Sequence, residues 1–164
     1  MEGNTFISWA TQELLHLEVE ADVTPALTRS LKGTPQAQNR QRQVMKRPKL
    51  FDHYVLNLPA SALSFVKSFK GIYKGYEELF EPHTEVRLPL VHVYCFSKHS
   101  EDEAAEQEIC KEISSQLNYE MTPAPSAGNS NDAVSVYDVR NVAPHKRMFC
   151  ATFRIPAKVA FART

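Results

Sequence analysis

The sequence predicts an open α/β sheet, of which this chain carries the later strands. Phe51–Leu58 (FDHYVLNL) and Leu88–Phe96 (LPLVHVYCF) are short apolar runs rich in β-branched and aromatic residues, too continuous for half-exposed strands. Each is followed by a segment with helical spacing. Two last runs, Val134–Val142 (VSVYDVRNV) and Met148–Ile155 (MFCATFRI), are joined only by Ala-Pro-His-Lys-Arg, so they can pair only antiparallel. Strand, helix, strand, helix, hairpin is the order of the second half of such a sheet.

Taken in order, the elements rest on local signals. After a short segment at Phe6 and Ile7, residues Ser8–Glu20 carry Trp9, Leu14, Leu15, Leu17 and Val19, which predicts a short helix packed on one side, ended by Pro25. Residues 22–50 form a basic, flexible insertion: Arg29, Lys32, Arg40, Arg42, Lys46, Arg47 and Lys49 occur without an acid between Val23 and Phe51, and the stretch lacks the apolar content to fold alone. It is either a phosphate-contacting loop, gaining affinity by counterion release, or solvated surface. Pro59 stops the first strand. Ala60–Phe69 then places Ala62, Leu63, Phe65, Val66 and Phe69 at helical spacing, with Gly71 as the expected C-cap. Ser100-Glu-Asp-Glu103 reads as a capping box opening a helix whose apolar face is Ala105, Ile109, Ile113 and Leu117. Residues 121–133, rich in Pro, Ser, Gly and Asn, read as a flexible loop.

Composition excludes several function classes. The chain has 164 residues, enough for one domain or part of a larger one. Its five glycines, at 3, 33, 71, 75 and 128, fit neither the GxGxxG dinucleotide loop nor the GxxxxGK phosphate loop. Histidines 16, 53, 83, 92, 99 and 145 and cysteines 95, 110 and 150 show no paired-ligand spacing, so no metal site is expected. Three separated cysteines form no disulfide framework and point to free, buried thiols in a reducing, intracellular compartment. Leu88–Phe96, the longest apolar run, is too short to cross a bilayer. The first 28 residues hold no Lys or Arg and five acids, the reverse of a secretory or mitochondrial leader. The 19 basic and 19 acidic side chains cancel, so net charge points to no partner.

Ligands of open α/β sheets gather at the carboxyl ends of strands. Asn57-Leu58-Pro59-Ala60 falls at such an end. A side-chain amide there offers a donor and an acceptor to the edge of a planar heterocycle, and the proline ring offers a rigid apolar wall. Alone, the tripeptide is also ordinary strand-to-helix turn chemistry. Its context adds to this: FDHYVLNLPASALSF, LPLVHVYCFSK and VRNVAPHKRMFCATFRIP, in that order, closely resemble the last part of the tRNA (guanine-N1-)-methyltransferases that modify the guanosine 3′ of the anticodon in archaea and eukaryotes. Glu2-Gly3-Asn4-Thr5-Phe6-Ile7 resembles the family's Asp-Gly-x-x-Phe segment after its third strand.

The resemblance implies a Rossmann-like, class I methyltransferase domain with a mostly parallel sheet and an antiparallel last strand. Phe51–Leu58 would be its fourth strand, Leu88–Phe96 its fifth and the hairpin its sixth and seventh. It further implies S-adenosylmethionine as cofactor and tRNA as partner, with Asn57 and Pro59 at the catalytic pocket and Glu2, Gly3 and Asn57 against the cofactor. Glu2 departs from the family's Asp by one methylene. Arg140, His145 and Lys146 would face RNA phosphates, although Arg140 serves equally as a structural contact in the hairpin. The glycine loop, the general base that takes the guanine N1 proton, and the first strands would lie upstream of Met1. Residues 1–164 are thus expected to be the carboxy-terminal part of the domain, inactive alone. Its exposed fourth-strand edge would be paired with another chain, covered by the amino-terminal segment, or poorly ordered. Two other readings are a non-catalytic RNA-binding α/β module working through the insertion, and the related aminocarboxypropyl transferase of wybutosine synthesis. Asn57 argues against the second.

Overall fold

The computed structural model describes residues 3–17, 20–22, 43–46, 49–82, 87–99, 101–124, 132–144 and 146–163. The chain forms two compact units, one of residues 1–11 and 51–164, the other of residues 12–50.

The larger unit holds a five-stranded mixed sheet. Its strands are β3 (His53–Leu56), β4 (Leu90–Ser97), β5 (Thr122–Pro123), β6 (Ala133–Ala143) and β7 (Lys146–Arg154), in the spatial order β3-β4-β7-β6-β5. β3 runs parallel to β4 and β5 parallel to β6, while β7 lies antiparallel between β4 and β6. Four strands therefore share one direction, and their carboxyl ends lie at one rim. The expected hairpin is present. The expected loop after Met121 is in part an edge strand, because Thr122 and Pro123 pair with Ala133 and Val134; residues 125–131 lie outside the described residues.

Burial along β4 alternates strictly. Val91, Val93, Cys95 and Ser97 are buried, whereas Leu90, His92, Tyr94 and Phe96 are half-buried. The reading of this run as buried on both faces is thus corrected: among the described residues its inward set alone is fully covered. Helix α2 (Asp102–Leu117) supplies that cover with Ala105, Ile109, Ile113 and Leu117, all buried as the four-residue spacing predicts. The opposite face leaves Val55 63% and Tyr137 72% exposed.

Three local expectations are corrected. The cap of α2 is shifted: its N-cap is Glu101 rather than Ser100, and Glu101 makes no side-chain capping bond. Glu103 instead accepts from Gln107 Nε2 at 3.4 Å, one turn on, and Arg147 holds Asp102 at 2.6 Å. Ser100 lies outside the described residues. The segment after β3 is a 3₁₀ helix, Ala62–Phe69, ending at extended Lys70 rather than a glycine C-cap. Ser64 donates through both its amide and its hydroxyl to the Ser61 carbonyl, which favours the tighter i to i+3 turn. Gly71 follows with φ 66°, and its N–H meets the Val159 carbonyl of the short helix α3 (Ala157–Ala160) at 2.8 Å. Finally, helix α1 spans Gly3–His16, so Phe6 and Ile7 are helical. Its buried positions are Ile7, Thr11 and Leu15, while Trp9 and Leu17 are 48% and 40% exposed. A polar residue at the middle of the stripe hid it.

In the smaller unit, β1 (Glu20–Asp22) pairs antiparallel with β2 (Val44–Lys46). Arg29, Lys32, Arg40, Arg42 and Arg47 lie outside the described residues. The three cysteines are free, with Cys95 and Cys110 buried and Cys150 half-buried. Burial is the largest cause raising the Cys95 thiol to about 12 and the Cys110 thiol to about 11, so neither is a nucleophile at neutral pH.

On the open face, His53 Nδ1 and His92 Nε2 are 2.9 Å apart with rings stacked at 5.2 Å, and His92 Nδ1 meets Thr152 Oγ1 at 2.9 Å. Desolvation, then the neighbouring His53, lowers the His92 pKa below its ordinary 6.5. The unfolded chain therefore binds more protons between the lowered value and 6.5, and stability falls as the pH drops through that window. Urea unfolding at a series of pH values should show this loss, and His92→Gln should flatten it. Ile113→Ala, which opens the core under the sheet, should cost about 2–5 kcal/mol by the same measurement. Tyr137→Ala, on the exposed face, should stay within about 0.5 kcal/mol.

Candidate functional site

The rim at the carboxyl ends of β3, β4 and β6 gathers the chemistry-bearing residues. β3 ends at Leu56, and Asn57 follows with its side chain exposed. Among the described residues that amide has no hydrogen-bond partner, so its donor and acceptor are both available to a ligand. The chain then turns sharply: Ser61 N–H and Ala62 N–H both donate to the Leu58 carbonyl at 2.8 Å. This places half-buried Pro59 and 59%-exposed Leu58 on the bend beside Asn57. The turn is thus a rigid apolar corner next to one free amide.

Gly3 opens α1, and a Cβ built there would lie 2.9 Å from the Phe65 ring. The absence of a side chain lets the first turn of α1 rest on the 3₁₀ helix that follows Asn57. Ser68 Oγ donates to Asn4 Oδ1 at 2.9 Å and fixes the same contact. Glu2 lies outside the described residues. Gly3 therefore has a packing reason to be glycine whether or not it also meets a cofactor.

Arg140 is exposed on β6, opposite Met148. Lys146 is exposed at the start of β7, with Nζ 4.1 Å from the centre of the Phe96 ring. His145 lies outside the described residues. β6 runs with β4, so Arg140 and Lys146 lie toward the rim that bears Asn57. The structure adds Lys98 and His99, exposed just beyond β4 at this rim. Sequence reasoning missed both because they follow the strand in a loop with no motif of their own. Beneath them, buried Ser97 donates to Glu108 at 2.7 Å and accepts from the His99 N–H at 3.2 Å, which ties the end of β4 to α2.

Arg147 is committed elsewhere. It pairs with Asp102 of α2 at 2.6 Å and Asp138 of β6 at 2.5 Å, locking the hairpin onto the helix. A second 3₁₀ helix, Glu77–Phe80, follows and opens on two carboxylates. Glu77 accepts from the Gly75 N–H at 3.2 Å, and backbone N–H groups, its own first, lower its pKa. A carboxylate held ionised by amides is a poor proton acceptor. A separate cleft of about 330 Å³, lined by residues including Leu88, Arg154, Pro156 and Lys158, sits at the opposite, amino end of β4. Among the described residues there is no cluster of three metal-ligating side chains, and no helix long and apolar enough to cross a membrane.

Comparison with curated proteins shows what the chain is similar to. The chain is 46% identical, over 99% of its length, to a tRNA (guanine(37)-N(1))-methyltransferase of Aspergillus fumigatus, and 44% identical over 99% to that of Emericella nidulans. It is 34% identical over 99% to the Schizosaccharomyces pombe enzyme. Along nearly its whole length the chain is thus similar to one stretch of these enzymes. It spans only about a third of these relatives, 36%, 35% and 34% of their lengths. No family model matches the chain. No solved structure matches it either.

Proposed function

We propose that this chain forms part of a Rossmann-like, class I methyltransferase domain that transfers a methyl group to N1 of the guanosine 3′ of the anticodon in tRNA. The observation that carries the reading is the free Asn57 amide beside the Pro59 corner, at the carboxyl rim of a mostly parallel sheet, in a chain similar to these enzymes. S-adenosylmethionine, when bound, supplies an electrophilic methyl group on a sulfonium. The Asn57 side chain suits it: a neutral amide offers a donor and an acceptor without adding a charge against the sulfonium. Asn57 and Gly3 would hold the cofactor, together with Glu2.

Asn57 also acts on the base. Methylation replaces the N1 proton with carbon, so the purine must shed that proton while its charge redistributes. An oriented amide can donate to a carbonyl oxygen that gains charge, while Pro59 and Leu58 exclude water from one side of the ring. The family resemblance assigns the proton acceptor to a part of the enzyme upstream of this chain. Arg140, Lys146 and His145 contact tRNA phosphates, with Lys98 beside them. The outer edge of β3, which no described strand pairs, accepts a further strand from the rest of the assembly.

The test uses the whole enzyme. This chain is substituted for the matching third of the Aspergillus fumigatus relative, and the hybrid is assayed for N1 methylation of a tRNA transcript. Asn57→Ala in that hybrid should lower kcat/KM by about 100-fold or more, the usual effect of removing one positioned donor. An unchanged rate would remove Asn57 from the reaction.

For the RNA contacts, Arg140→Ala and Lys146→Ala should each weaken tRNA binding and reduce the slope of log affinity against log salt by about one. Deleting residues 23–42 tests the RNA-binding-module reading: loss of most of the salt slope on that deletion, with Arg140→Ala silent, would favour it.

A further inference from the structure

We propose that the hydroxyls of Thr11, Tyr54 and Tyr73 form a one-way hydrogen-bond relay that positions the amino end of α1 against the Asn57 turn, which makes these three positioning residues for the site. The inference rests on the reading of Gly3 and Asn57 given above.

The three groups come from three separate parts of the larger unit. Thr11 lies on α1, Tyr54 on the inward face of β3, and Tyr73 in the turn after the 3₁₀ helix, and all are buried. Thr11 Oγ1 donates to the Ile7 carbonyl at 2.9 Å, Thr11 Oγ1 and Tyr54 OH are 2.8 Å apart, and Tyr54 OH and Tyr73 OH are 2.8 Å apart. Each hydroxyl owns one proton. Thr11 spends its proton on Ile7, so Tyr54 must donate to Thr11. Tyr54 is then left only with lone pairs for Tyr73, so Tyr73 must donate to Tyr54. The order is Tyr73 to Tyr54 to Thr11 to the Ile7 carbonyl, and every buried donor in it is satisfied. Burial, the largest cause for both tyrosines, raises their pKa values, so the relay stays fully protonated at neutral pH.

Such a chain is not there for bulk stability. Replacing paired buried polar groups by apolar ones of the same shape is often nearly neutral, and valine and phenylalanine would fill these places. What the hydroxyls add is a single allowed geometry, because each bond fixes the direction of the next. That geometry is relevant to the site at both ends. Tyr54 lies three residues before Asn57 on the same strand. α1 begins at Gly3, whose contact with Phe65 and whose neighbour Asn4's bond from Ser68 seat the first helical turn on the segment just after the Asn57 turn. Among the described residues the relay is a third anchor between α1 and this stretch, and of the three it is the one that reaches β3.

The direction of the relay sets the outcome of each substitution. Tyr54→Phe leaves the Tyr73 hydroxyl as a buried donor with no acceptor, and Thr11→Val does the same to Tyr54. Tyr73→Phe removes only the first donor, and every remaining proton keeps its acceptor. The experiment records the backbone amide signal of Gly3 and the side-chain amide signals of Asn57 by NMR on the full chain, with Val134→Ala, a buried position on β6 three strands from β3, as a control that lowers stability. Thr11→Val and Tyr54→Phe should displace both sets of signals by more than the control does, Thr11→Ser should restore them, and Tyr73→Phe should leave them near their original positions. The relay is overturned if Thr11→Val and Tyr54→Phe lower stability with the Gly3 and Asn57 signals unmoved, or if Tyr73→Phe displaces them as far as Thr11→Val does. Should either stronger variant fail to fold, the Tyr73→Phe and Thr11→Ser spectra decide alone, displaced signals in either counting against it. No cofactor is present in this experiment. Its failure therefore leaves the methylation reading standing, and an inactive hybrid enzyme leaves the relay standing.

Discussion

The register of β4 against β7 is the constraint on which the rest of this molecule depends. Eight residue pairs, from Leu90 with Arg154 to Ser97 with Arg147, hold the two strands together. Side chains alternate along a strand, so a slip of one residue would turn every inward group outward. In the observed register Val91, Val93 and Cys95 turn to the covered, inward face, and His92, Tyr94 and Phe96 face the other way. The same register brings Lys146 to the Phe96 ring and Arg147 to Asp102. The rim of the sheet thus inherits its arrangement from the middle.

Two kinds of polar group share that rim. Ser97, Glu108, Arg147, Asp102 and Asp138 satisfy one another and tie strand ends to helix and hairpin. Asn57, Lys98, Arg140 and Lys146 are exposed. The first group is structural and the second is available for binding, a division that residue type alone does not make. Arg140 and Arg147 look alike as letters; among the described residues, Arg147 has two carboxylates within reach. The similarity to these relatives and the exposed amide of Asn57 point to the same end of the sheet.

Much of the fold was legible beforehand because its signals are local. Apolar runs stopped by proline marked β3 and β4, a five-residue link forced the hairpin, and a four-residue spacing set the buried face of α2. Asn57 was found through its place at a strand end and through resemblance. The failures arise where the local pattern does not show a residue's partner. Glu103 and Asp102 had the pattern of a helix cap but were claimed by Gln107 and Arg147. Thr11 interrupted the apolar stripe of α1, so the helix was expected from Ser8 rather than Gly3 and on another face, although burial against Tyr54 makes a threonine acceptable there. Thr122 and Pro123 looked like loop because a two-residue edge strand has no periodicity to read.

The sequence by itself determined the α/β class, the hairpin, the apolar faces, the absence of glycine-loop nucleotide motifs and the strand end that bears Asn57, since each follows from the spacing of neighbouring residues. Only the tertiary structure decided that β7 would insert between β4 and β6, that one face of the sheet would be covered by α2 while Val55 and Tyr137 stayed exposed, and that three hydroxyls far apart in the chain would meet. Those outcomes depend on which groups find each other across the folded molecule, where a hydrogen bond or a buried contact outweighs the weak local preference of the residues that make it.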